Sequence, residues 1–401
     1  MSFVAERARV WARVAGDVIP VVLMLAYVQV VAIRLFPAEG VSTMDFQCFW
    51  AASKVALTST PLDVYDMDVF KAVQRTLHGR PDAPACMFIY LPVSLLLFLP
   101  LALLPYTMSA VAWLAVTALF YAFALHGLLR RWLAVPAFFA FPAAFLNAWY
   151  VQSGFLSAAL FGAAASLLEK QPILAGICFG SLAYKPQLGL VVPVALAAAG
   201  RWQAFAAATA TVLGTGFTAT ALFGAGIWPA FVSVLGDAGQ WLEATPERAG
   251  LDMASVFATV RILTGQVGVA YAVQAASAAA ACVLMVAAVR RRPGGQAEGA
   301  LTAAAVALAT PYLFHYDQTI LAVPLAWMLA EARRTGFLPW ERATWLALVL
   351  SPALAHAASL AWNVPVASFV SVGVFAALLR RINRLHAGAP TMPALSREAV
   401  A

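Results

Sequence analysis

The sequence predicts an all-α polytopic membrane protein: one bundle of about ten to twelve transmembrane helices, with amphipathic helices in its first outer loop. Composition, run length and charge placement each support this. Of 401 residues, 63% are apolar and 11% charged, against about 45–50% and about 25% in soluble domains; the mean hydropathy is +0.83. So little charge cannot cover a water-facing surface, which excludes a soluble enzyme, a disordered chain, a collagen and a disulfide scaffold. The apolar residues run continuously instead of alternating over segments of about ten residues, so a transmembrane β-barrel is excluded as well. The net charge of +7 sits in short clusters between apolar runs: Arg7-Arg9-Arg13, Arg130-Arg131, Arg290-Arg291-Arg292, Arg333-Arg334 and Arg380-Arg381. That placement reads as cytoplasmic anchoring and not as a nucleic-acid surface.

Along the chain, Val18 to Phe36 forms the first span, and with no small-residue cleavage site after it, it reads as an uncleaved anchor. The polar stretch 37–87 follows as a first periplasmic loop. Within it, Phe46–Leu57 and Val64–Leu77 suit short helices lying on the membrane surface, separated at Ser59-Thr60-Pro61. Further spans are expected near 88–104, 107–129, 133–149, 153–168, 172–184, 186–200 and 203–223. A second polar loop covers 224–265, spans near 267–289, 299–313, 316–332, 342–361 and 363–380 follow, and 386–401 reads as a disordered cytoplasmic tail. Pro136, Pro142, Pro172 and Pro186 predict broken helices, which are tolerated where they line an enclosed or wet cavity. With the first loop outside, the turns at 147–154, 185–187 and 315–317 and the 224–265 loop fall on one face. Two spans between Phe88 and Leu129, however, put Arg130-Arg131 on the outer face, so that either one of them is re-entrant or the basic pair breaks the rule.

The chemistry-bearing residues gather on that outer face. Asp45 follows the first span: a carboxylate there suits a general base toward a hydroxyl at the water–lipid boundary, or it simply caps the helix from Phe46. Lys185 stands in Tyr184-Lys185-Pro186-Gln187 with about ten largely apolar residues on each side. An ammonium at that depth costs about 2.5–3.5 kcal/mol and so usually has a cavity and a partner; the alternative is a snorkelling lysine at a hairpin tip. His315, Tyr316 and Asp317 form a third cluster, in which a turn explains Asp317 and an anion contact suits His315. No second ligand pair stands at helical spacing, so metal binding is the weaker option. Tyr65, Asp66, Tyr90, Asn147, Gln152, Arg248 and Arg261 are weaker signals. Trp202, Trp228 and Trp241 fit an interfacial aromatic belt, and Gly214-Thr215-Gly216 fits tight helix packing. The four cysteines have no C-x-x-C spacing; Cys48 and Cys86 bracket the polar stretch and are able to pair in an oxidising compartment.

In order, Asp45-Phe46 … Phe49-Trp50-Ala51-Ala52-Ser53, Tyr65-Asp66, Phe88-Ile89-Tyr90-Leu91-Pro92, Gln152-Ser153-Gly154-Phe155-Leu156, Leu182-Ala183-Tyr184-Lys185-Pro186-Gln187 and Thr310-Pro311-Tyr312 resemble glycosyltransferase family 87. The sequence departs from many relatives in Leu91, where Tyr-Pro-Pro is common, and in Ser153, where Asn is common. The resemblance implies a GT-C-like membrane enzyme that takes a hexose, typically mannose, from a polyprenyl-phosphate sugar. It implies Asp45 as catalytic base and Lys185, His315 and Arg261 as contacts to the donor phosphate. Tyr65, Asp66, Tyr90, Asn147, Gln152, Gln187, Tyr316 and Asp317 would bind substrate. It further implies no cofactor, no nucleotide sugar and no obligatory metal. The expected enzyme is an inverting transferase of the bacterial plasma membrane whose site faces the periplasm, acting on a lipid-linked or glycan hydroxyl. The rival reading is a transporter or flippase for polyprenyl-linked sugars, which also needs charges near broken helices; a silent membrane scaffold is a third.

Overall fold

Proline placement sets many of the helix boundaries. Pro136, Pro142, Pro172 and Pro186 each stand in the first turn of a helix or 3₁₀ turn, where the missing N–H has no intrahelical partner to lose. They start short helices instead of kinking long ones. The computed structural model describes residues 29–33, 35–36, 45–79, 85–244, 251–291 and 293–386. Most of the first span, the 37–44 stretch, Arg248 and the 387–401 tail lie outside the described residues.

Among the described residues the chain is helical with no strand, apart from one isolated bridge between Met253 and Phe314, so the all-α polytopic reading holds. Among the described residues four helices have the length and composition to cross a membrane: Tyr106–Leu129, Trp202–Phe223, Val267–Val289 and Glu341–Trp362. A fifth arises if Trp132–Phe139 and Pro142–Tyr150, bent by 66° at their break, form one span. Val93–Leu103, Gly154–Leu167, Pro172–Tyr184, Pro186–Ala198 and Ile227–Gly236 are apolar but shorter. Against the ten to twelve crossings expected, the described residues hold four or five helices of full length and several shorter apolar ones.

Three expectations need correction. The segment 88–104 is non-helical as far as Pro92 and then forms only Val93–Phe98 and a 3₁₀ turn, Leu99–Leu103. At about 1.5–2 Å per residue it is too short to cross a core about 30 Å thick. Tyr106–Leu129 is then the one full-length helix between Phe88 and Arg130-Arg131, which removes the conflict in charge placement. Among its described residues, the 224–265 loop holds the helices Ile227–Ala244 and Val256–Thr264. The helix Phe46–Thr58 does not lie on a surface: Phe46, Phe49, Ala51, Ala52 and Val55 are fully buried, and it packs on Leu99–Leu103. Met67–His78 does keep an exposed face, with only Phe70 and Gln74 buried.

The core helix is Gly295–Ala309, buried along nearly its whole length. Its small residues permit close approach: a Cβ at Gly299 would overlap Ala165 of Gly154–Leu167. Gly214 and Gly216, expected to pack tightly, face open space, whereas Gly180 meets the Ala208 carbonyl of Trp202–Phe223. The basic clusters also differ in role. Arg381 is fully buried in an ion pair with Glu341 (2.7 Å) instead of anchoring at a surface. Arg201 pairs with Glu298 at the start of the core helix (2.8 Å).

Candidate functional site

Asp45 immediately precedes the Phe46–Thr58 helix, yet its carboxylate makes no capping hydrogen bond. It instead accepts a hydrogen bond from Gln152 Nε2 (3.0 Å), a residue 107 positions away. Burial raises its pKa above the ordinary carboxylate value; Gln152 and Lys185 oppose the rise, while Asp252 and Asp317 add to it. A carboxylate so placed is a better proton acceptor than a free aspartate. The helix carrying it is tied down by a Cys48–Cys86 disulfide (Cα–Cα 6.0 Å) and by Phe49, which stacks on Phe98 and meets Tyr90 edge-on. The pairing left open by the sequence is therefore made.

Gln152 is aimed by its own turn. The helix Pro142–Tyr150 ends at Val151 in the left-handed conformation (φ 52°), which swings Gln152 inward. Asn147 Oδ1 accepts the Gly154 N–H (2.5 Å) and the Gln152 side-chain oxygen accepts the Ser153 N–H (3.2 Å). Gly154 is required here, since a Cβ would lie 2.6 Å from the Tyr316 carbonyl and 2.7 Å from Asn147 Oδ1. Asn147 thus builds the turn, and Gln152 faces Asp45.

Lys185 does not snorkel. It is 3% exposed and donates to Asp317 Oδ1 at 2.6 Å, with the Tyr316 ring centroid 5.1 Å from its Nζ. Pro186 keeps Lys185 out of the helical region (φ −134°), and its turn is anchored on both sides. Tyr184 hydrogen-bonds Ser157 (2.6 Å), and Thr310 Oγ1 donates to the Gln187 carbonyl (3.0 Å). Asp317 is held by a second bond, accepting from Phe314 N–H (3.2 Å). The 315–321 turn is fixed by Thr319 on the Ala143 carbonyl (3.0 Å) and Gln318 on that of Ala367 (2.9 Å), two residues that sequence reasoning passed over.

His315 lies beside this pair, 3% exposed, donating its backbone N–H to Asp252 O (3.1 Å), with Nε2 3.1 Å from Leu251 O. His356 packs edge-on against it, centroids 4.8 Å apart. Burial first and His356 second push the His315 pKa down to about 4. Asp252 is within electrostatic reach of both His356 and Asp45. Sequence reading missed Asp252 and His356. For His356 the available signal was an ionisable residue within an apolar span, which is a functional-site hypothesis by default; Asp252, in the polar 224–265 loop, carried no such signal.

Other expected residues sit differently. Asp66 caps Met67–His78, accepting from Asp68 N–H (2.9 Å) and Val69 N–H (3.2 Å). Tyr65 is buried against Phe88 and Phe231 and donates to the Tyr90 carbonyl (2.8 Å), so it shapes the wall behind Tyr90. Arg261 donates to the Gly265 carbonyl at the end of its own helix. The structure therefore brings together Asp45, Gln152, Tyr90, Lys185, Asp317 and Tyr316, with His315, His356 and Asp252 alongside. Among the described residues no three of His, Cys, Asp and Glu converge as a metal would require.

A family model for glycosyltransferase family 87 matches residues 88–314, more than half of the chain. Tyr90, Gln152, Lys185 and Gln187 fall inside the matched stretch, while Asp45 and His315 lie outside it. No curated protein and no solved structure matches the chain. The chain belongs to glycosyltransferase family 87, a GT-C-type family, and is a membrane-embedded glycosyltransferase.

Proposed function

We propose that this family 87 glycosyltransferase moves a hexose, mannose first among the candidates, from a polyprenyl-phosphate carrier to a hydroxyl of a lipid-linked or glycan acceptor. The observation that carries the reading is Asp45: its carboxylate is withheld from the helix it precedes and held by Gln152 near a buried Lys185–Asp317 pair. As the acceptor oxygen attacks the anomeric carbon, its proton passes to Asp45. The bond from that carbon to the phosphate oxygen breaks on the opposite face, so the configuration inverts. The electron pair departs with polyprenyl phosphate, whose charge Lys185 meets. Arg261 donates to the Gly265 carbonyl at the end of its own helix, and the step as written does not call on it.

The site faces the periplasm in this proposal. The Cys48–Cys86 disulfide supports that side, because disulfides persist in oxidising compartments. Short Pro-initiated helices around the site suit a groove open to the bilayer, through which an isoprenoid tail reaches the chemistry without leaving lipid. The test is transfer from polyprenyl-phosphate [14C]mannose to octyl mannoside by purified protein in nanodiscs. A labelled disaccharide glycoside is the expected product. Movement of the intact donor across proteoliposome membranes with no new glycosidic bond would instead support a transporter.

A further inference from the structure

His315 carries more information than a cation beside a phosphate would. Its Nε2 lies 3.1 Å from the Leu251 carbonyl oxygen, which can only accept, so Nε2 holds the proton. In the neutral ring the other nitrogen, Nδ1, is then a bare acceptor. That Nδ1 is buried and has no hydrogen-bond partner among the described residues. Nδ1 of His356, whose ring stands against His315 at 70°, has none either. A buried acceptor left unpaired is costly, so such groups usually await a ligand or water. Burial and the neighbouring imidazole keep His315 uncharged at neutral pH, its pKa lowered to about 4. A phosphodiester carries no proton to donate and would meet the lone pair as a repulsive neighbour. A hydroxyl does carry one.

We propose that His315 and His356 line a subsite that reads a sugar hydroxyl, with His315 Nδ1 accepting its hydrogen bond, in place of the phosphate contact the sequence suggested. The proposal rests on the glycosyl-transfer reading above. The location suits it: Tyr316, the next residue, lies over Lys185, and Asp252 is within electrostatic reach of both His356 and Asp45. The subsite therefore adjoins the reacting end of the site. The hydroxyl belongs either to the hexose of the donor or to the acceptor sugar, and the experiment separates the two.

Two substitutions split the ring's functions. His315→Gln reaches the Leu251 carbonyl but offers no acceptor at the Nδ1 position. His315→Asn places an amide oxygen near the Nδ1 position but cannot reach Leu251. Transfer from polyprenyl-phosphate mannose to octyl mannoside is measured for both, with melting temperatures. The expected result is a loss in kcat/KM of about 10–100-fold for Gln at unchanged melting temperature. Asn stays within a few-fold of wild type and melts lower. Deoxy analogues of donor and acceptor then locate the hydroxyl: removing the right one costs the wild type a similar factor and costs His315→Gln nothing further.

The reverse pattern, Gln active and Asn inactive, would make His315 a structural anchor and overturn the proposal. Equal losses in both variants, with wild-type donor affinity rising steeply as pH falls from 6.5 toward 4, would make it a phosphate cation. If wild-type protein transfers no sugar, the transfer reading fails by itself. The subsite is then judged by binding of octyl mannoside and of polyprenyl-phosphate mannose, one of which His315→Gln must weaken; unchanged binding of both would overturn the subsite as well.

Discussion

Among the described residues two ion pairs are fully buried, Lys185–Asp317 at the candidate site and Arg381–Glu341 at the other end of the last helices. They are almost equally hidden from solvent: side-chain exposures are 4% and 1% in the first, 1% and 5% in the second. Their surroundings differ. Arg381 Nη1 donates to Glu341 (2.7 Å) and to the Gly336 carbonyl (3.0 Å), Nη2 donates to Thr335, and Glu341 also accepts from Leu338 N–H (2.8 Å). The pair staples the 335–341 turn to Ser368–His386, leaving only Nε and one carboxylate oxygen without partners. Lys185 has three N–H donors and a single hydrogen-bond partner among the described residues, with an aromatic face completing the pocket. Burying a charge costs several kcal/mol, and a structural pair recovers it by satisfying most of its bonding capacity. The Lys185 ammonium keeps capacity in reserve, which is what an incoming anionic oxygen needs.

The largest expected effect lies next to that unsaturated pair. Asp45→Asn keeps the shape and can still accept from Gln152, but it cannot take a proton. Since Asp45 does not cap its helix, stability should hardly change, while transfer falls about 10²–10⁴-fold at the chemical step with donor affinity intact. Activity within a few-fold of wild type would remove Asp45 from the mechanism.

Charge removal tests the comparison directly. Arg381→Met should destabilise by about 3–5 kcal/mol because Glu341 is left buried and alone. Arg381→Met with Glu341→Gln should recover most of that, and activity with it. Lys185→Met also strands a buried carboxylate, so the informative variant is Lys185→Met with Asp317→Asn. Its stability should recover while donor affinity does not. Recovery of donor affinity in that double variant would make both pairs structural and end the distinction.

The disulfide is the next step down. Cys48 and Cys86 close a loop of 38 residues around the helix that follows Asp45, so Cys48→Ser with Cys86→Ser should cost about 2–4 kcal/mol. Because the bridge also steadies that helix, kcat should fall together with the melting temperature. A variant that loses stability at full kcat would confine the bridge to the folded loop.

The fold class was legible because composition and run length report the solvent directly. Span lengths were less so: a run such as Phe88–Leu104 is largely apolar, and nothing local says that its first residues are non-helical and the rest too short to cross. The site was legible where motifs are dense, as at Gln152-Ser153-Gly154 and Tyr184-Lys185-Pro186-Gln187. The partnerships were not, because they join distant positions: Lys185 meets Asp317 across 132 residues, and Asp45 meets Gln152 across 107. Local reasoning left Asp45 open between base and helix cap, and it did not read Asp66 as a cap. Capping suits either residue by type, yet only Asp66 caps. Which aspartate caps depends on where the helix is delivered by tertiary packing, and no pattern of neighbours encodes that.

The smallest expected effect is a pH dependence of stability specific to the site. In the unfolded chain the His315 imidazole takes a proton below about 6.5, whereas in the folded protein burial and His356 hold its pKa near 4. Between those values the unfolded state binds more protons, so stability falls as pH drops from 6.5 toward 4 and levels off below. Asp45 works with the opposite sign. Its folded carboxyl titrates above its unfolded value, so the folded state is the one that binds the extra proton, and stability gains as pH falls through that raised pKa. The two groups partly cancel, and substitution separates them. Melting temperatures of wild type and His315→Gln, followed from pH 7 to pH 4, should show a smaller acid-side decline in the variant. Asp45→Asn, which loses the opposing gain, should show a steeper one. Parallel curves for all three proteins would mean that neither group titrates differently on folding. The acid limb of transfer activity should meanwhile lie above the ordinary aspartate range, because the base must be ionised to accept the proton.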